Sequence, residues 1–228
     1  MERRLIGIQM NKRKSLREEV YDSLKKSILL GKLMAGQRLI EEQIAHQIGI
    51  SRTPVREAFH KLERDDLVSR LPKGGFAVRK FTEEDVEEIF GIRTALESYA
   101  ASLATLHITP DKMTMLEKKV EESEKALGKG DYDKAVQLYT EFHDLLYKTS
   151  RSKKLAQMIS NFSDYFQRYR PALLQTRNGF QFSIGDHRMM LQAMKKRNPA
   201  LVEKLVRKHL VRGKEIVLKM VEEGKTIP

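Results

Sequence analysis

Residues 50–62, Ile50-Ser-Arg-Thr-Pro-Val-Arg-Glu-Ala-Phe-His-Lys-Leu62, decide how the rest of the chain is read. Thr53 suits a helix cap, and Pro54 suits the first helical position, where a missing N–H costs nothing. Val55, Ala58, Phe59 and Leu62 recur at helical spacing and predict one apolar face. Arg52, Thr53 and Arg56 fall off that face, at the N-terminal end, where a recognition helix carries its base-reading side chains. A surface helix prefers carboxylates in its first turn. Two arginines there carry a small dipole cost, which phosphate or guanine would offset. Alone, the segment also suits a surface helix with incidental arginines.

Its neighbours decide between the two. Upstream, Leu16 to Leu30 carries Val20, Leu24 and Ile28 at helical spacing and closes at Gly31. A turn from Gly31 to Arg38 follows, then a short helix from Glu41 to Ile48 with Ile44, Ala45 and Ile48 on one side, broken by Gly49. Downstream, Leu67–Leu71 and Gly75–Val78 predict two strands joined by the turn Pro72-Lys73-Gly74-Gly75. Three helices and a basic hairpin make a winged helix-turn-helix, whose glycine tip can approach a minor groove closely.

This stretch resembles the DNA-binding domain of GntR-type bacterial transcription regulators. The marks are GKLMAGQRLIEEQIAHQIGISRTPVREAFHKLERDDLV and the PKGG wing; Ala35-Gly36 stands where most members have Pro-Gly. The resemblance implies operator contacts from Arg52, Thr53, Arg56 and a wing glycine, Gly74 or Gly75, with Lys73 beside it at the tip.

Charge agrees with that reading. Residues 1–80 hold 18 Lys/Arg against 10 Asp/Glu, whereas residues 81–228 hold 25 against 21, so two-thirds of the net +12 lies in the first third. A polyanion partner follows, and the winged pattern selects duplex DNA over RNA or anionic lipid. The chain has no cysteine, which excludes thiolate metal sites and a disulfide framework and fits a cytoplasmic location. No apolar run reaches membrane-spanning length, and Met1 to Lys14 is a basic arm without the apolar core of a signal peptide.

From Phe81 onward only helical periodicity appears. Thr82 and Asp85 form a near capping box before a helix from Glu83 to Leu106. Further helices are expected from Thr109-Pro110 to Leu127, from Asp131 to Thr149, from Lys153 to about Leu174 with a bend near Pro171, from Phe182 to Lys196, and from Asn198-Pro199 to near Gly224. Short connections predict an antiparallel bundle. The fold class is mainly α: a basic arm at 1–14, a winged helix-turn-helix domain at 15–80 and an all-helical domain at 81–228.

Three histidines of the bundle lie on apolar stripes. His143 accompanies Tyr139, Phe142 and Leu146; His187 accompanies Ile184, Leu191 and Met194; His209 accompanies Val202, Leu205 and Val206. One such residue is most often a hydrogen-bonded core histidine. Three converging imidazoles suit a divalent transition metal. His46, His60 and His107 have no such company, and Tyr165, Phe166, Arg168 and Tyr169 fit either a cavity wall or ordinary packing.

Residues 81–228 are similar to the helical FCD ligand-binding domain of the FadR branch, through IRTALESYAASLA, EFHDLLYKTSRSKKL and GDHRMMLQAMKKRNPALVEKLVRKHL. The resemblance implies a zinc, nickel or manganese ion held by His143, His187 and His209. Tyr139 stands where the family has an aspartate ligand. It also implies that Arg93 meets the carboxylate of a small organic effector; an ion pair between Arg93 and Glu97 is the equal alternative. The expected function is a ligand-responsive, homodimeric regulator on an inverted-repeat operator. The alternatives are a metal-dependent hydrolase and an effector-independent DNA-organising protein. No HExxH, nucleophile elbow or phosphate loop favours the enzyme.

Overall fold

The computed structural model describes residues 14–29, 31–162 and 177–223. The chain divides into two compact units, one formed by Gly36–Arg79 with the residues before Leu29, the other by Leu29–Ala35 with the residues from Lys80 onward.

The first unit contains α1 (Leu16–Leu29), β1 (Arg38–Leu39), α2 (Glu41–Ile48), α3 (Arg52–Arg64), β2 (Val68–Arg70) and β3 (Phe76–Val78). The four apolar residues expected to line α3, namely Val55, Ala58, Phe59 and Leu62, are its buried ones. Phe59 stacks on Phe76 of β3 with ring centroids 4.8 Å apart, which fastens the helix to the wing. Gly49 closes α2 in the left-handed region at φ 71°. Two details depart from the sequence reading. The residue at the α3 N-cap is Ser51 rather than Thr53, so Thr53 is the second helical residue and Pro54 the third rather than the first. The Gly31–Arg38 turn ends in a strand, β1, which pairs antiparallel with β3 and gives the sheet order β1-β3-β2. Two residues are too few to show an alternating pattern.

The second unit contains α4 (Glu83–His107), α5 (Pro110–Gly128), α6 (Tyr132–Thr149), a helical stretch α7 over residues 153–162, α8 (Arg177–Lys195) and α9 (Pro199–Glu222). Capping sets their starts. Thr82 and Asp85 form the full reciprocal box before α4, and Thr109, Asp131 and Asn198 cap α5, α6 and α9. The main packing partners are α4 with α9, α5 with α6, and α8 with α9. Helix α8 begins five residues before the expected Phe182. The expected bend at Pro171, the residues Tyr165, Phe166, Arg168 and Tyr169, and most of the basic arm lie outside the described residues. Among the described residues no helix is long and apolar enough to cross a membrane.

Candidate nucleic-acid interface and buried histidine site

The N-terminal end of α3 presents Arg52, Thr53 and Arg56 to solvent, with no carboxylate in the first turn. Neither arginine has a hydrogen-bond or ion-pair partner among the described residues. Both guanidinium groups therefore remain available at the positive end of a helix dipole, an arrangement that suits an anion or a base edge.

The wing tip is built around two glycines. Gly74 and Gly75 both take positive φ, 84° and 81°, and Leu71 closes the turn through bonds to both. A Cβ on Gly75 would stand 2.9 Å from the Leu39 carbonyl of β1, so that position requires glycine twice over. Arg38 donates to the Gly74 carbonyl at 3.1 Å, while Lys73 is exposed at the tip.

In the second unit, His143, His187 and His209 are buried, and one nitrogen of each lies within 4.8 Å of the others. They come from α6, α8 and α9. The Nε2 atoms of His143 and His187 are 3.1 Å apart. Two nitrogens on one zinc ion, at 2.0–2.1 Å each, stand about 3.3–3.4 Å apart in a tetrahedron. That pair is close to a coordination edge already, and the third nitrogen lies within about 1.5 Å of one. Three imidazoles in a chain without cysteine form a donor set that fits zinc, nickel or manganese. Tyr139 lies among the three rings and places its hydroxyl 3.0 Å from His209 Nε2.

Around the histidines is a shell of polar residues whose role local spacing did not reveal. His143 Nδ1 is 3.0 Å from the Tyr147 hydroxyl, and Tyr147 donates to Glu97 of α4. Arg93 donates to Glu97 through Nε at 2.6 Å and lies buried beside it. The ion pair weighed against effector binding is thus the contact observed for Arg93. On the opposite side, His209 Nδ1 is 3.2 Å from Asp186, which also accepts from Arg212 at 2.8 Å. Burial opposes the Asp186 charge, but the hydrogen bond from His209 and then the Arg212 guanidinium outweigh it and hold the carboxyl below its usual range. Burial and the charge of Glu97 push the Tyr147 phenol well above its usual value, which keeps it a donor. The fourfold spacing Tyr139-His143-Tyr147 was present in the sequence; the pairing with Glu97 across helices was not.

Residues 16–78 match the family described as bacterial regulatory proteins, gntR family, and residues 88–212 match the FCD domain. The chain is 32% identical over 208 residues to the HTH-type transcriptional regulator YdhC of Bacillus subtilis (strain 168), covering 91% of this chain and 93% of that one. The chain is a GntR-family transcriptional regulator with an FCD domain. This GntR regulator is also 34% identical over 153 residues to the HTH-type transcriptional regulator McbR of Escherichia coli (strain K12), covering 67% of this chain and 69% of McbR. The solved E. coli McbR/YncC structure superposes with a TM-score of 0.71 at 26% identity, over 92% of the GntR regulator and all of that chain. A solved GntR regulator from Rhodococcus sp. RHA1 shares the fold, with a TM-score of 0.71 at 20% identity over 90% of this chain and 99% of that one. These relatives are transcription regulators, not enzymes, so the hydrolase alternative falls away.

Proposed function

We propose that this regulator binds an inverted-repeat operator as a cytoplasmic homodimer and responds to a small organic acid that reaches a divalent metal held by His143, His187 and His209. One observation carries the reading: three buried imidazoles from three helices turn nitrogens toward one point, each within 4.8 Å of the others. A core that needed only packing would not gather three groups whose burial is costly. A protein that merely organises DNA has no use for such a cluster. Zinc is the default for nitrogen donors, with geometry and supply deciding among zinc, nickel and manganese. The metal, when bound, supplies positive charge and open positions for a carboxylate. Tyr139 borders that space. Arg93 enters as the cation that balances Glu97; direct contact with the effector would require it to exchange that partner. Operator contacts are assigned to Arg52, Thr53, Arg56, Lys73, Gly74 and Gly75.

The test combines elemental analysis of the purified protein with operator binding. Replacing His187 and His209 together by alanine is expected to abolish both bound metal and effector response, leaving basal operator affinity within about twofold. A double variant that still responds normally would place the sensing site elsewhere.

A further inference from the structure

The hydrogen bonds around the histidines have a direction, set by groups that can only give or only take. Arg93 and Arg212 only donate; their ion-paired carboxylates, Glu97 and Asp186, only accept. Tyr147 has one proton and gives it to Glu97, so its oxygen is left to accept from His143 Nδ1. His143 is then protonated on Nδ1, with a lone pair on Nε2. Asp186 imposes the same order on His209, whose Nδ1 must donate and whose Nε2 must accept, with Tyr139 giving its proton there. The 3.1 Å contact between the Nε2 atoms of His143 and His187 completes the set, because His143 accepts and His187 must donate. Two ion pairs, one buried and one partly buried, thus dictate the tautomers of three neutral imidazoles.

Building on the metal reading above, we infer that Tyr147 with Glu97, and Asp186 with Arg212, are positioning residues that hold His143 and His209 as Nδ1–H tautomers and aim both Nε2 lone pairs at one divalent cation. His187 is the exception. It must move its proton from Nε2 to Nδ1 before it can ligate through the nitrogen that faces His143. Metal entry therefore changes the tautomer of one histidine and leaves the other two as they are. Outer partners of this kind commonly govern 10–100-fold in metal affinity.

Imidazole nitrogen chemical shifts of the full-length protein, labelled at histidine and freed of metal by chelation, test this directly. The expected spectra show Nδ1–H for His143 and His209 and Nε2–H for His187. Added zinc is expected to convert His187 alone to Nδ1–H. Tyr147→Phe is expected to scramble the His143 tautomer and weaken zinc binding by about 10–100-fold. Finding His143 or His209 as Nε2–H without metal overturns the inference, and the wild-type protein alone decides that point if the variant does not fold. Unchanged zinc affinity in a folded Tyr147→Phe overturns the positioning role. If zinc shifts none of the three side chains, the metal reading fails separately, with the proton order still standing on its own spectra.

Discussion

At the scale of single residues, Arg52 and Arg56 combine a place at the head of α3 with the lack of a described partner. Other arginines of the first unit, such as Arg17 and Arg79, face carboxylates, whereas these two have no ion-pair partner among the described residues. Arg56→Ala is expected to cost about 1–3 kcal/mol on the cognate operator and less on random duplex. Competition binding at one salt concentration measures both, and an equal loss would make Arg56 a phosphate contact. Lys73→Ala at the wing should instead flatten the dependence of affinity on salt. The three buried histidines were legible because imidazoles on apolar stripes are anomalies in one dimension. Their partners were not. Glu97 is 50 positions from Tyr147 and Asp186 is 23 from His209, and only the packing of helices brings them together. The cap on α3 was misplaced for a related reason: serine and threonine two positions apart offer the same chemistry, and backbone geometry chooses between them.

Among elements, α4 has a buried face and a second, apolar one. Its inner side carries Arg93, Glu97, Ala100, Ala101 and Ala104, all buried. Its other side carries Ile92, Leu96, Tyr99, Leu103 and Leu106 at intervals of four and three; Leu96 and Leu103 are partly buried against the core, whereas Tyr99 and Leu106 are each 56% exposed. A stripe of that length on a soluble helix supports a second copy as its cover. Tyr99→Glu with Leu106→Glu is expected to yield folded monomer by sedimentation at micromolar concentration; an undisturbed dimer would move the interface elsewhere. The first unit has its own signature in α1. Burial, then the hydrogen bond to Asp65 at the end of α3, push the Tyr21 phenol up to about 12. The unfolded chain titrates near 10. The stability this contributes is intact below about pH 10 and drains away as pH rises toward 12. Urea midpoints between those values should fall more steeply for the wild type than for Tyr21→Phe. Long helices were legible from their period and caps; β1 was not, since two residues carry no period.

Over the whole molecule, the two units divide charge as well as structure. Two-thirds of the excess positive charge lies before residue 81, and the core of the second unit is drawn from Val86 to Met220. A fragment of residues 81–228 is therefore expected to fold and to dimerise by itself. Residues 1–80 alone should fold yet bind operator far more weakly, because the second half-site contact is no longer intramolecular. A monomeric helical fragment at micromolar concentration would count against this. The mainly helical class and the two-part organisation could be foreseen from periodicity and charge.

Helix α4 begins at Glu83, three residues beyond Lys80, where the second unit takes up the chain again. From Glu97 back to Glu83 it measures about 21 Å at 1.5 Å per residue. A rigid rod of that length would act as a lever if it turned about the histidine shell. A tilt of about 5° there sweeps the far end through about 2 Å. The displacement is larger than a hydrogen bond tolerates, and the rotation would ask the packing of α4 on α9 to yield together with the Glu97 contact.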